Sequence, residues 1–579
     1  MTARPIGTVV VRTLPWLLAL AGFAFDLAAW WPGSMSFDSA YAWWQARGGE
    51  SADIVPPAFV LAWRLCDALL PGPGPLFALH LALFWSGLAL VAHALRLGAA
   101  ATAATMLLVA FAPAALLLRS HVWTDVGLLS ALCAATGALL QATRARDRRW
   151  LLLALPALLY AGLLRHNAAP AVVPFAAWAG WLLLRGPRAT RAPRPLPVAW
   201  TALALIGVLL GATRAVDAGV QRHVPLWPMV AEWDLAAISI ATEHMLLPDF
   251  MIGPGLDVAE LAQAFRPWST TPMLANTRHG MRDPFEPAFT ADQLAALRRA
   301  WFDAIAAYPR AWLAHRWRLT RAMLGTHAPD WPHELVYVDT EARYRDTPPV
   351  APNASRLHRA LLRAAAALVA TPALAAWPYL LLGLAAAPLA WRRRDAPGAR
   401  VALLLLASAW LYALPFSVLA ASAELRYLGW PCVASLLAAA CAALAPRGAA
   451  RRADRLRRHD SRNSMSAQRF VFTIDDLAGA RGETDELSFR GASPESFADA
   501  LQQALRSPTL WQRWRAMQPD PDAVDPALGQ SDPSATVEAH QSDVHVGVVV
   551  VSALPHSIIK HRMTLLIGRH WTLRDVSAA

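Results

Sequence analysis

The stretch Leu14-Pro-Trp-Leu-Leu-Ala-Leu-Ala-Gly-Phe-Ala-Phe-Asp26-Leu-Ala-Ala-Trp30-Trp31-Pro32-Gly33 shows which solvent this chain is built for. It is apolar for long enough to cross a hydrocarbon layer about 30 Å thick at about 1.5 Å per residue. It ends in paired tryptophans, the side chains that settle at a membrane interface. No small-residue cleavage site follows, so the run reads as a retained anchor and not as a removable leader. This is the first run, 13–31, and comparable runs recur near 75–95, 98–118, 122–142, 150–164, 168–185, 197–214, 366–391, 400–420 and 427–445, each bounded by Pro, Gly or Arg. A chain of 579 residues that is 56% hydrophobic with mean hydropathy +0.32 has the composition for this. The expected fold class is an all-α polytopic membrane protein of about ten transmembrane helices, with a large extracytoplasmic loop and a small C-terminal α+β cytoplasmic domain.

Charge placement orients the helices. Lys and Arg outnumber acids by 53 to 41, and all but Lys560 are arginine. Arg4, Arg12, Arg96, Arg144–Arg149, Arg185–Arg194, Arg392–Arg394 and Arg447–Arg462 alternate with the apolar runs so that all fall on one side, which the positive-inside rule makes the cytoplasm. Basic residues grouped in this way serve topology, and nucleic-acid binding is rejected. The expected location is the cell inner (cytoplasmic) membrane, with both termini cytoplasmic and the lipid bilayer as surroundings. The domains follow: 1–214, an N-terminal membrane part with a first outer loop at 32–74; 215–365, the extracytoplasmic loop; 366–446, C-terminal membrane helices; 447–464, a basic linker; and 465–579, the soluble domain. Cys66, Cys133, Cys432 and Cys441 lack metal or disulfide spacing and read as apolar filler.

In the outer loop, Thr290 and Gln293 form a capping box that opens a helix, and Pro309 interrupts it and starts a second. That second helix, Trp312 to Leu324, carries Arg316, Arg318 and Arg321 among aromatic and apolar residues; it suits a membrane surface and equally a helix packed on the rest of the loop. In the soluble domain, 468–474 reads as a strand and Ser493-Pro494 as a helix start, with the helix running to about Met517. A linker near 519–533 follows, then strands at 545–553 and 563–567. His540, Asp543 and His545 alternate along a strand and read as a solvated face.

Ionisable residues at the mouths of membrane helices mark a site by default. Asp38 lies a few residues beyond the first helix among aromatics, and partial desolvation would raise its pKa toward that of a general base. Capping of a helix Ser39–Ala46 explains it equally well. The same outer face receives Arg119, His121 and Asp125, then Arg165, His166 and Asn167, then Glu424, Arg426 and Tyr427. Arginines suit a phosphate and a carboxylate suits an acceptor hydroxyl, the pairing that a lipid-phosphate donor requires. Interfacial anchoring on lipid headgroups is the other reading of each arginine. Asp26 reads as a packing residue.

Over residues 10–445 the chain resembles the type C superfamily of integral-membrane glycosyltransferases, which includes the dolichyl-phosphate-mannose-mannosyltransferases. The likeness rests on Pro32-Gly33 after an aromatic, Asp38 in the first outer loop, Pro56 before the next apolar segment, Thr124-Asp125, Arg165-His166-Asn167, Tyr308-Pro309-Arg310, and Glu424-Leu425-Arg426-Tyr427. Val55 stands where those relatives have histidine, and Thr124 where they have lysine. The resemblance implies inverting transfer of a hexosyl or pentosyl unit from a polyprenyl-phosphate-linked sugar to an extracytoplasmic acceptor (a glycan, lipid or protein). It implies catalytic roles for Asp38, Asp125 and Glu424, with Arg119, His121, Arg165, His166, Asn167, Arg426 and Tyr427 binding substrate. The three acids are hard oxygen ligands of the kind that hold a divalent metal, Mg or Mn, but no cofactor is assigned. A glycan polymerase or ligase, a lipid-linked-sugar flippase, and a non-catalytic membrane scaffold are the competing readings. Asp38 separates the glycosyltransferase from these, and a flippase would need charge at several depths.

Overall fold

The computed structural model describes residues 6–185, 194–285, 287–326, 343–351, 353–369, 371–444, 467–482, 484–521, 524–542 and 545–579. The basic linker 447–464 and Asp543 lie outside the described residues. The chain divides into two compact units, Met1–Arg447 and Gly448–Ala579.

The first unit is helical. Six of its described helices are long and apolar enough to cross a membrane: Thr13–Trp30, Gly74–Leu95, Thr124–Ala145, Pro195–Asp217, Pro397–Leu419 and Leu425–Leu444. Helices also stand at the other four expected places, but they are shorter or interrupted. The run 98–118 is split into Ala99–Ala110 and Pro113–Leu118, because Pro113 cannot continue the first helix. The runs 150–164 and 168–185 give Leu151–Leu163 and Ala169–Leu184. The run 366–391 is broken at Thr371-Pro372, so that one helix ends at Leu368 and the next spans Trp377–Arg392.

Close approach of two helices builds the centre of this unit. A Cβ on Gly87 would sit 2.4 Å from the Cys133 carbonyl carbon, and one on Gly137 would sit 2.8 Å from the Gly87 carbonyl oxygen. Small residues thus let the helices Gly74–Leu95 and Thr124–Ala145 pack backbone to backbone, the arrangement favoured where lipid gives no hydrophobic drive. Beside them Asp26 and Arg119, both fully buried, pair at 3.1 Å. Trp85 donates its indole N–H to Asp26 at 2.8 Å, and Arg119 also reaches the carbonyls of Ala110 and Ala115. Asp26 is therefore the packing residue expected of it.

Between the helices ending at Asp217 and beginning at Trp377, the helices Val258–Ala264, Ala291–Ala307 and Pro309–Met323 pack on the helix Trp227–Thr242. The capping box at Thr290 and Gln293 is present, with reciprocal bonds of 3.2 and 3.0 Å, and opens the helix Ala291–Ala307. Pro309 starts the next helix, Pro309–Met323.

The second unit holds a four-stranded antiparallel sheet: β1 Gln468–Ile474, β2 Thr536–Ser542, β3 His545–Ser552 and β4 Trp571–Ala578, in the order β2-β3-β1-β4. With the helices Pro494–Arg506 and His556–Ile567 this is a βαββαβ unit. Phe470, Phe472, Val548, Val550, Phe497, Leu501 and Ile559 form its core. Three expectations are corrected. The helix expected to reach Met517 stops at Arg506, where Ser507-Pro508 breaks it, and a second helix spans Thr509–Ala516. Met563–Ile567, expected as a strand, is the last turn of a helix whose apolar residues lie on its buried face. The strands β2 and β4 are additional to those expected.

Candidate functional site

The site is assembled where four loops meet at the same ends of the membrane helices. The loop after the first helix is held to the loop at 119–123 by short backbone pairing: the Ser34 N–H donates to the Ser120 carbonyl at 2.8 Å and the Val122 N–H to the Ser34 carbonyl at 3.0 Å. Ser36 then caps the helix Phe37–Ala46, which places Asp38 in its first turn. Asp38 is therefore not the cap. Ser39 donates to the Val122 carbonyl at 2.8 Å, and the Trp123 indole donates to the Ser36 hydroxyl at 2.9 Å.

Arg426 joins the carboxylates. Its Nη2 lies 2.7 Å from Asp38 Oδ2, while its Nε is bonded to Glu424 Oε2. The guanidinium sits over the Trp123 ring at 5.0 Å and the Tyr427 ring at 5.5 Å. Ser422 completes the group, donating to Glu424 at 2.8 Å and lying 3.0 Å from the Tyr427 hydroxyl. A second charge pair stands beside the first: Arg165 is bonded to buried Asp125 and donates to the Asn167 side chain at 3.3 Å. Its guanidinium packs 4.9 Å from the Tyr427 ring, which links the two pairs. Asp125 Oδ2 is buried without a hydrogen-bond partner.

Asp38, Glu424, Arg426 and Tyr427 are thus brought together, with Asp125, Arg165 and Asn167 next to them. The side chain of Asp38 is 55% exposed, so the desolvation expected around it is not supplied by the protein. His166 is exposed and, with Arg165, borders a small recess formed by Pro56, Pro57 and Thr213. Two expected ligands stand apart. Arg119 is fully buried on Asp26, its guanidinium over Phe84 at 4.4 Å, and does not open onto the loops. His121 is buried under Trp123, with the rings stacked at 3.7 Å and Nδ1 facing the Leu117 carbonyl at 3.0 Å. Burial lowers its pKa to about 3, so it is a neutral support for Trp123 and supplies no cation.

The acids do not fit a divalent ion. A guanidinium already lies between Asp38 and Glu424, Asp125 is paired with Arg165, and among the described residues no three His, Cys, Asp or Glu side chains gather to hold a metal. Trp123, Ser36 and Ser422 are the contributors that sequence reasoning missed. Trp123, just before Thr124-Asp125 in a loop expected to face outward, carried an aromatic signal that went unused.

The segment between the helices ending at Asp217 and beginning at Trp377 also reaches the site. The Ala423 N–H donates to the Trp268 carbonyl at 2.9 Å, Ser269 pairs with Ser422, and Arg316 donates to the Ala420 carbonyl at 2.7 Å. Both ends of 420–423 are therefore held just before Glu424. No family model, no curated protein and no solved structure matches this chain.

Proposed function

We propose that the chain is a membrane glycosyltransferase that moves a sugar from a polyprenyl-phosphate donor to an extracytoplasmic acceptor. The observation that carries this reading is the Asp38–Arg426–Glu424 constellation, an exposed carboxylate and a guanidinium on one aromatic floor with a second arginine, Arg165, beside it. In this reading Asp38 takes the proton of the acceptor hydroxyl as that oxygen bonds to the anomeric carbon. The bond from that carbon to the phosphate oxygen breaks with inversion, and the electron pair leaves on the phosphate. Arg426 and Arg165 offset the charge gained there, Glu424 and Tyr427 fix the orientation of Arg426, and Asp125 and Asn167 do the same for Arg165. Ten helices cross the inner membrane, the four short or interrupted ones included, with both termini and the soluble unit cytoplasmic.

The test is mass spectrometry of envelope glycans and lipid-linked sugars in a strain lacking the protein, complemented with wild type or Asp38→Asn at matched abundance. The expected result is loss of one sugar from an acceptor, restored by wild type and not by Asp38→Asn. Full restoration by Asp38→Asn removes the base and moves the reading to transport or scaffolding.

A further inference from the structure

The helix Pro309–Met323 has two opposed faces, and the structure accounts for only one. At about 100° per residue, Trp312, His315, Arg316, Leu319, Ala322 and Met323 fall on one side. This side is held by a single carboxylate. Asp234, fully buried on the helix Trp227–Thr242, accepts from Arg316 at 2.6 Å, from the Trp312 indole at 3.1 Å and from the Trp301 indole at 2.9 Å. Such a hub fixes the rotation of the helix about its own axis. The opposite arc carries Arg310, Leu313, Trp317, Arg318 and Arg321, all exposed, with Leu313 at 58% and Trp317 at 62%. Leu313 and Trp317 occupy one flank of the arc and the three arginines the other.

Height is set independently. Arg316 donates to the Ala420 carbonyl, one residue beyond the end of the membrane helix Pro397–Leu419. Just past the C-terminal end of the helix, the Leu324 carbonyl accepts from the N–H of Trp377, the first residue of the apolar helix Trp377–Arg392. The helix is thus pinned level with the ends of two apolar helices. It packs on the short helix Phe416–Leu419, in which Val418 and Leu419 are themselves exposed, at 43% and 58%.

We infer that Pro309–Met323 lies along the bilayer surface, with Leu313 and Trp317 in the lipid leaflet and Arg310, Arg318 and Arg321 on phospholipid phosphates. The leaflet is the occupant because the helix is held beside the ends of two apolar helices and its exposed face joins an apolar flank to a cationic one, the composition of interfacial helices. Arg321 also reaches the Thr326 carbonyl at 3.1 Å, which orients its guanidinium at the helix end. The packed reading holds for the face on Asp234, and the membrane-surface reading is the one inferred for the opposite face. The inference does not depend on glycosyl transfer.

The test uses the full chain in vesicles of zwitterionic lipid, with and without anionic phospholipid. Cys66, the half-buried native thiol, is replaced by serine. Trp317→Cys or, as the control on the same outer domain, exposed Gln263→Cys is then labelled with an environment-sensitive fluorophore. Lipids that carry a quencher near the headgroup should quench the label at 317 severalfold more than the label at 263, and aqueous iodide should do the reverse. Leu313→Cys provides a second probe should the 317 variant misfold. Replacing Arg310, Arg318 and Arg321 together by glutamine should remove the response of the 317 label to anionic lipid. Equal quenching at 317 and 263 places this face in water and overturns the inference; a response to anionic lipid that survives the triple substitution overturns its phosphate part.

Discussion

Asp26 and Arg119 show how much of a side chain's role depends on what it meets. Each is fully buried and each is the other's partner, so removing one leaves a bare charge in the interior. Arg119→Leu is expected to cost about 3–5 kcal/mol, with much of the loss recovered when Asp26→Leu is added, as read from thermal unfolding of the two single variants and the double. A loss in the double variant equal to the sum of the two single losses would show that the pair is not coupled. Glu232 is a different case. Its carboxyl is fully buried with both oxygens unpartnered, and burial, assisted by the charge of Asp283, pushes its pKa well above the ordinary 4.5. Because the folded pKa exceeds the unfolded one, the fold binds this proton more tightly. The stability it contributes is present below about pH 4.5 and lost as pH rises through the folded value. Glu232→Gln keeps the shape and drops the charge, so it should melt higher than wild type near pH 8 and lose less stability between about pH 5 and about pH 8. An unchanged pH slope would assign that dependence to another group. Around the site, Asp38, Glu424, Arg426 and Arg165 were legible from their types and their shared outward ends. Arg119 and His121 were not separable from them, since adjacency in a loop does not say which side chains turn inward.

At the level of elements, apolar length located the helices, and prolines placed their breaks. What length cannot carry is the distance between helices. Gly87 and Gly137 set that distance, and the atoms a larger side chain would strike at Gly87 belong to backbone, which cannot swing aside. Gly87→Val is therefore expected to lower stability by about 1–3 kcal/mol or to prevent folding. Gly207→Ala, on a helix position with open space around it, should be neutral or stabilising by up to about 1 kcal/mol. Thermal unfolding in detergent with both variants checks this, and similar melting of the two would remove the packing argument. The soluble unit shows the converse limit. β1 was legible from alternation and its N-terminal helix from Ser493-Pro494, whereas Met563–Ile567 is too short an apolar run to distinguish strand from helix by period. β4 has mostly exposed residues and lacks the alternation that marks a half-buried strand.

At the scale of the whole molecule, the unit after the basic linker has its own core and a sheet in which β1, first in sequence, pairs with both β3 and β4. A fragment spanning 467–579 is expected to fold alone and unfold in one cooperative step. Ending it at residue 570 removes β4, exposes an edge of β1 and should abolish that step, which circular dichroism with thermal melting would follow. The membrane part depends on long-range pairing of a different kind: residues 36, 123, 165 and 426, far apart in sequence, share one site. Sequence alone determined that the chain lives in a membrane, because an apolar run of sufficient length has no other stable solvent, and it determined which loops share a side, because arginines are costly to translocate. Only the tertiary structure decided which charges in those loops meet. Pairing across more than three hundred residues is set by how helices pack and turn, and no local pattern encodes it.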